Sequence, residues 1–394
     1  MCRLIKSLCG HPESGGWWEK HLTKAILTLG GKPMVGHPSV FWFADSALLL
    51  TVYVDDLMLS GPEKAHHSFW GRLRASPIEL EDSEPLSRFL GRDHVLQPGI
   101  GGSRTVTLDM EAYARLAVQL YTQHTGVSHF RQASTPFCPE GSLVHSDDDI
   151  TGDLASCCCS ILMKLLWLAR LARPDLLRPV CELASKITKW TRNCDKEVFR
   201  LVCYVNSSLS YRLTGRVGDA AVALSLRLYV DADFGGDSGN ARSTSGGYLV
   251  LVGPNTFYPL MWLSKRQTST SRSTTESEVV ALAASLFSEA LPALTYWETV
   301  LNRDVHLEIF EDNQATIRVV KKGYSAKLRH ISRTHKIDIS SIFEIIELDN
   351  IEIIYCKTDD QAADIFTKAL APLKWPNALS LLGILDSVAP ASQK

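Results

Sequence analysis

Leu228-Tyr229-Val230-Asp231-Ala232-Asp233, then Arg242-Ser243-Thr244-Ser245-Gly246-Gly247-Tyr248, then Ser277-Glu278-Val279-Val280-Ala281-Leu282: the reading of this stretch decides the fold. An apolar run that ends in an acid is how a buried strand delivers a carboxylate to its exposed end. Glu278 opens a run in which Val279, Leu282 and Ala283 recur at helical spacing, so it is expected on a helix. Asp312 ends a second apolar run, Leu307 to Glu311, and Asp364 opens a predicted helix, Gln361 to Lys368. Four carboxylates from four separate elements suit a site for two divalent cations, which take hard oxygen ligands and act on phosphodiesters. Taken singly, each acid is equally well an exposed carboxylate or a helix N-cap.

Working outward, the segment after Asp312 is basic. Between Asn313 and Ile337 there is no Asp or Glu, but there are Arg318, Lys321, Lys322, Lys327, Arg329, Arg333 and Lys336, with His330 and His335. Such a loop beside an acidic cluster can hold phosphates; the plain alternative is a solvated surface. Upstream, Lys164 to Arg216 reads as helices (Ile161 to Leu171, Asp175 to Trp190, Asp195 to Ser207). Eleven Lys/Arg against four Asp/Glu leave it at +7. That excess could also track a phosphate backbone, or only solvate a helix face. Residues 131 to 155, with Pro136, Pro139, Gly141 and Asp147-Asp148-Asp149, read as a linker. Nearer the start, Ala47 to Tyr53 and Leu57 to Leu59 form an apolar hairpin tipped by Asp55-Asp56. This is a natural place for a metal, or an ordinary polar turn. The tail after Leu370 is expected to be weakly structured.

Composition sets the frame. With 394 residues, 45% hydrophobic and 21% charged, the chain is long enough for two or three domains. A net charge of −2 removes any global attraction to nucleic acid, so binding must come from local patches. The ten cysteines, Cys157-Cys158-Cys159 among them, show neither a secretory framework nor zinc spacing. No signal peptide and no apolar run of membrane-spanning length are expected. The expected location is the cytosol or nucleus, with no membrane partner.

The motifs together resemble the ribonuclease H domain of copia-type retrotransposon Pol polyproteins. They are Asp231-Ala232-Asp233, Arg242 to Gly246, Trp262-Leu263-Ser264-Lys265-Arg266-Gln267, Ser273 to Glu278, Asp312-Asn313-Gln314-Ala315, Arg333 to Asp338 and Asp360 to Lys368. Lys6-Ser7-Leu8, Tyr53-Val54-Asp55-Asp56, Phe89-Leu90-Gly91 and Thr135-Pro136 are similar to the same element's reverse transcriptase, and Arg173-Pro174-Asp175 to its connection. The resemblance implies a multidomain α/β and α+β chain. Residues 1–130 would be a partial palm and thumb of a reverse transcriptase, 131–222 a linker and helical connection, 223–370 a ribonuclease H-like mixed five-stranded sheet with flanking helices, and 371–394 a tail. It implies that Asp231, Glu278, Asp312 and Asp364 hold two Mg²⁺ ions, with Mn²⁺ as substitute, to cut RNA in RNA–DNA hybrids. Glu278 is chosen over Glu276 because the apolar helical run follows it directly. Asp55 and Asp56 would be the polymerase metal pair on a template-primer. Lys321, Lys322, Arg329, Arg333, His335 and Lys336 would contact nucleic acid.

Three departures qualify this expectation. A further polymerase acid lies, in the family, upstream of the Lys-Ser-Leu segment, so the polymerase is expected to be N-terminally truncated and inactive alone. Upstream Pol segments or a dimer partner would have to complete it. His335-Lys336 also reverses the family's order, and Cys9 to Gly16 is divergent. The rival expectation is a decayed or co-opted fragment that binds nucleic acid without catalysis.

Overall fold

The computed structural model describes residues 10–139, 141–236 and 241–387. The Lys6-Ser7-Leu8 motif, Cys9 and the last residues of the tail lie outside them. The chain divides into two compact units, Met1–Phe89 with Thr295–Arg303, and Leu90–Leu294 with Asp304–Lys394.

In the first unit, helix α1 (Ser14–Thr28) precedes a four-stranded antiparallel meander, β1 (Lys32–Met34), β2 (His37–Phe43), β3 (Leu48–Tyr53) and β4 (Asp56–Ser60). Helix α2 (Glu63–Arg74) and a short strand β5 (Arg88–Phe89) follow. One face of each element is apolar, and Leu22, Ile26, Phe41, Phe43, Leu48, Leu50, Phe69 and Leu73 meet in a single core.

The second unit is built on one long sheet. Its strands are β6 (Arg92–Pro98), β7 (Arg104–Asp109), β8 (Tyr211–Val217), β9 (Ser225–Ala232), β10 (Thr244–Gly253), β11 (Thr256–Arg266), β12 (Leu307–Glu311), β13 (Ile351–Tyr355) and β14 (Ile384–Asp386). Their order across the sheet is β13-β12-β9-β10-β11-β8-β7-β6, with β14 also on β8. The expected mixed five-stranded portion is its first half. Strands β9, β10 and β11 run antiparallel in sequence order, whereas β12 lies parallel to both β9 and β13. The sheet does not stop at residue 223, because β8, from the expected connection, pairs with β11.

Helices α3 (Glu111–Thr125), α4 (Cys158–Leu171), α5 (Leu177–Ala184) and α6 (Arg192–Ser207) contribute to one core with parts of this sheet. Helix α7 (Thr274–Ser285) packs on β9 and β10, and runs through a π-helical turn (Leu286–Ala290) into α8 (Leu291–Leu301). By length and composition alone that 28-residue run would be able to cross a membrane, a test that a core helix also passes, and half of its most apolar stretch is buried. Helices α9 (Gln314–Lys322), α10 (Ile331–Thr334) and α11 (Ile339–Ile346) follow β12. Helix α11 begins after Asp338, whose side chain accepts the Ser340 N–H as its N-cap.

The tail departs most from expectation. Residues Trp375–Leu381 form α12, and β14 pairs with β8. Trp375 is buried beside Phe137 and Tyr204 and donates its indole N–H to the Tyr204 hydroxyl at 3.0 Å. Trp375, Ala378, Leu379 and Leu382 join the core and anchor the segment.

Candidate metal centre

Strand β9 earns its central place from Leu226, Leu228 and Val230, all fully buried. With both neighbouring strands in register, its end can carry only a carboxylate that finds a partner. Asp231 is 1% exposed; one oxygen faces the Lys368 ammonium at 3.0 Å and the other accepts the Thr367 hydroxyl. Lys368 also donates to Asp364 at 2.9 Å.

Asp364 sits on a single 3-10 turn (Asp364–Phe366), not on the helix expected from Gln361 to Lys368. Three contacts fix that turn on the sheet. The Gln361 amide donates to Val230 O at 3.0 Å, and the Ser264 hydroxyl donates to Phe366 O at 2.7 Å. The third is steric: a Cβ on Gly246 would stand 2.6 Å from Thr367 Cγ2 and 2.9 Å from Ala363 O. Only glycine at that point of β10 admits the turn. The neighbouring Gly247 makes room in the same way for Ser285 of α7.

Helix α7 begins with reciprocal caps. The Ser273 hydroxyl accepts the Glu276 N–H at 3.2 Å, and Glu276 Oε2 accepts the Arg272 N–H at 2.8 Å. Glu276 is thereby used up structurally. Its other oxygen lies 3.0 Å from His330 Nε2 and 3.3 Å from His335 Nε2. Glu278, two residues on and 5% exposed, faces the cleft instead, with one oxygen buried and without a hydrogen-bond partner. Asp312 follows β12 directly and accepts the Thr358 hydroxyl at 3.1 Å, while Asn313 caps α9 through the Ala315 and Thr316 N–H groups.

The structure thus brings Asp231, Glu278, Asp312 and Asp364 to one place. Carboxylate oxygens of Asp231, Asp312 and Asp364 lie within 4.8 Å of one another, and so do those of Glu278, Glu311 and Asp312. An open cleft of about 590 Å³ is lined by Asp231, Asp233, Glu278, Asp312, Asn313 and Lys368. Burial, and then the neighbouring Glu311 and Asp231 charges, push Glu278 up to about 11. Burial, and then Asp231, push Asp364 up to about 6; Asp312 rises for the same reasons. Burial opposes the charge on Lys368, but Asp231 and Asp364 outweigh it and raise its value. A set of hard oxygen donors with buried, unpartnered atoms fits Mg²⁺ or Mn²⁺.

Two residues of this site escaped the sequence reading. Glu311 was read as part of the apolar strand, yet the alternation that buries Leu307 and Ile309 also points Glu311 inward. Lys368, four residues after Asp364, is the internal counter-cation.

The other expected residues lie elsewhere. Asp55 and Asp56 are exposed at the β3–β4 turn in the first unit, where Tyr53 pairs with Asp56. Neither joins a group of three close metal-ligating side chains among the described residues. Lys321 and Lys322 are exposed on the last turn of α9, and Arg329, Arg333 and Lys336 are exposed along the following segment. His335 differs: its side chain is 1% exposed, turned toward Glu276, and burial lowers its pKa. Its ring faces α7 and is not a surface contact. Part of the +7 helical block is likewise tied down. Arg173 pairs with buried Asp175, Arg178 with Glu182, Lys186 with Glu197, Lys196 with Asp147, and Arg212 with Asp109 and Glu111.

No protein-family model matches the chain. It is similar to the Retrovirus-related Pol polyprotein from transposon RE1 of Arabidopsis thaliana, 26% identical over 392 residues, covering 98% of this chain and 25% of that protein. The Pol polyprotein from transposon TNT 1-94 of Nicotiana tabacum is 23% identical over 398 residues, covering 98% and 28%. The chain therefore spans about a quarter of the length of these relatives. Among solved structures, that of LC11-RNase H1 in complex with RNA/DNA hybrid aligns at a TM-score of 0.26 and 18% identity, over 36% of this chain and 94% of that one.

Proposed function

From a chain similar to copia-type retrotransposon Pol polyproteins along nearly all its length, we propose that residues 223–370 form a Mg²⁺-dependent ribonuclease H that cuts the RNA strand of RNA–DNA hybrids. The observation that carries the reading is the convergence of Asp231, Glu278, Asp312 and Asp364 in two close carboxylate groups that share Asp312, beside an open cleft lined by Asp231, Glu278 and Asp312. Divalent cations, when bound, would supply an activated water and charge stabilisation of the leaving oxygen. Asp231, Asp312 and Asp364 would hold one of them, and Glu278 with Asp312 the other. Lys368 keeps Asp231 and Asp364 together while the acids are otherwise uncompensated. Lys321, Lys322, Arg329, Arg333 and Lys336 would take the phosphates of the hybrid, fixing its register without reading sequence.

The test is cleavage of an end-labelled RNA–DNA hybrid by the full chain, with Mg²⁺ and with EDTA. Asp312→Asn is expected to abolish cleavage while hybrid binding persists. A wild-type chain that binds the hybrid without cutting it in Mg²⁺ would sink this reading and leave a non-catalytic nucleic-acid-binding fragment. Asp55 and Asp56 are proposed as polymerase acids on the resemblance of Tyr53-Val54-Asp55-Asp56. As an exposed pair without a third close ligand among the described residues, they are not expected to support primer extension by this chain alone.

A further inference from the structure

The two close carboxylate groups hold one acid more than the proposed nuclease requires. Glu311 is the last residue of β12, fully buried, on the strand face that also carries Leu307 and Ile309. One of its oxygens accepts the Asn313 N–H at 3.0 Å. The other is buried without a hydrogen-bond partner, as is one oxygen of Glu278. Two buried carboxylates aimed at one point without a cation are costly, since each lacks what replaced its water. The oxygens of Glu278, Glu311 and Asp312 lie within 4.8 Å of one another, and Asp312 also belongs to the group formed with Asp231 and Asp364. Two three-carboxylate groups joined by a shared acid have the form of a paired-cation site. Five carboxylates less the Lys368 ammonium leave a formal −4, which two divalent cations cancel.

We propose that Glu311 is a direct ligand of the second divalent cation, completing with Glu278 and the shared Asp312 a site distinct from that of Asp231, Asp312 and Asp364. The inference rests on the metal-dependent nuclease reading, but concerns metal occupancy and not cleavage. Without Glu311, Glu278 and Asp312 would offer that cation only two protein carboxylates. Its other role, accepting the Asn313 N–H, is one that a glutamine can keep.

The test is titration of the full chain with Mn²⁺, free ion being followed by electron paramagnetic resonance. Wild type is expected to bind two ions per chain. Glu311→Gln is expected to keep one and to weaken the other about tenfold or more. Glu311→Val, which suits a buried strand, serves if the glutamine variant does not fold. Glu308→Gln, on the opposite face of β12 and paired with Arg227, is expected to bind as wild type does. Two ions bound with wild-type affinity by the Glu311 variants would overturn the inference, and so would a wild type that binds only one. A wild type that binds two ions, loses one on Glu311 substitution and cuts no hybrid would leave this ligand in place and remove the nuclease.

Discussion

Asp364 and Glu278 hold their protons in the folded chain at pH values where an unfolded chain has lost them. Their values move from 3.8 to about 6 and from 4.5 to about 11, with burial the first cause in both. A carboxyl whose folded value is raised costs stability as pH rises past its unfolded value, and the loss continues until the folded value is reached. In EDTA, the contribution of these acids therefore falls from about pH 4 upward, steepest while both titrate, and Glu278 alone continues the fall beyond about pH 6. Divalent cations supply the missing charge. The difference in Tm between Mg²⁺ and EDTA is expected to widen as pH is raised from about 5 to 8, read by thermal denaturation. A difference that stays constant or narrows would contradict the placement of these acids. At this scale the sequence was informative where an acid ended an apolar run, as at Asp231 and Asp312. It was silent on Glu311, because strand alternation buries a charge only when something outside the strand receives it.

At the scale of elements, the glycine pair on β10 explains why a turn and a helix can approach the sheet closely enough to deliver Asp364 and Glu278. The motif containing Gly246-Gly247 was legible, but its reason was not: the Cβ atoms that would clash face residues 363–367 and Ser285, far away in sequence. The tail was misread for a related cause. Helix α12 is only seven residues long, and its place depends on Tyr204 and Phe137, which the tail's own sequence does not reveal. Trp375→Ala is expected to lower the unfolding free energy by about 3–5 kcal/mol. Urea denaturation measures it; a loss under about 1 kcal/mol would mean that the tail is peripheral to the core.

For the whole molecule, the net charge of −2 leaves recognition to local patches. Of the two patches read from sequence, the helical block is partly neutralised from outside, through Lys196 with Asp147 and Arg212 with Asp109 and Glu111. Lys321 and Lys322 remain exposed at the end of α9. Lys321→Ala and Lys322→Ala are each expected to weaken hybrid binding and to reduce the slope of log affinity against log salt by about one. Fluorescence anisotropy at several salt concentrations in the Asp312→Asn background gives that slope. Charge counting along the sequence could not separate the two patches, because partners such as Asp147 for Lys196 come from outside the helices.

The parallel pairing of β12 with β9 carries a consequence for how this chain comes to be. Leu226 meets Leu307 only after the intervening hairpin and helix have closed a loop of about eighty residues. Such non-local pairings form late, since their entropy must be spent before any contact rewards it. Asp231 and Asp312 stand at the ends of those two strands, so the acids stay apart and separately hydrated until the sheet is joined. A chain in which β9 and β12 are not yet joined can hold every motif and still have no place for a cation; the ability to bind one waits on that pairing.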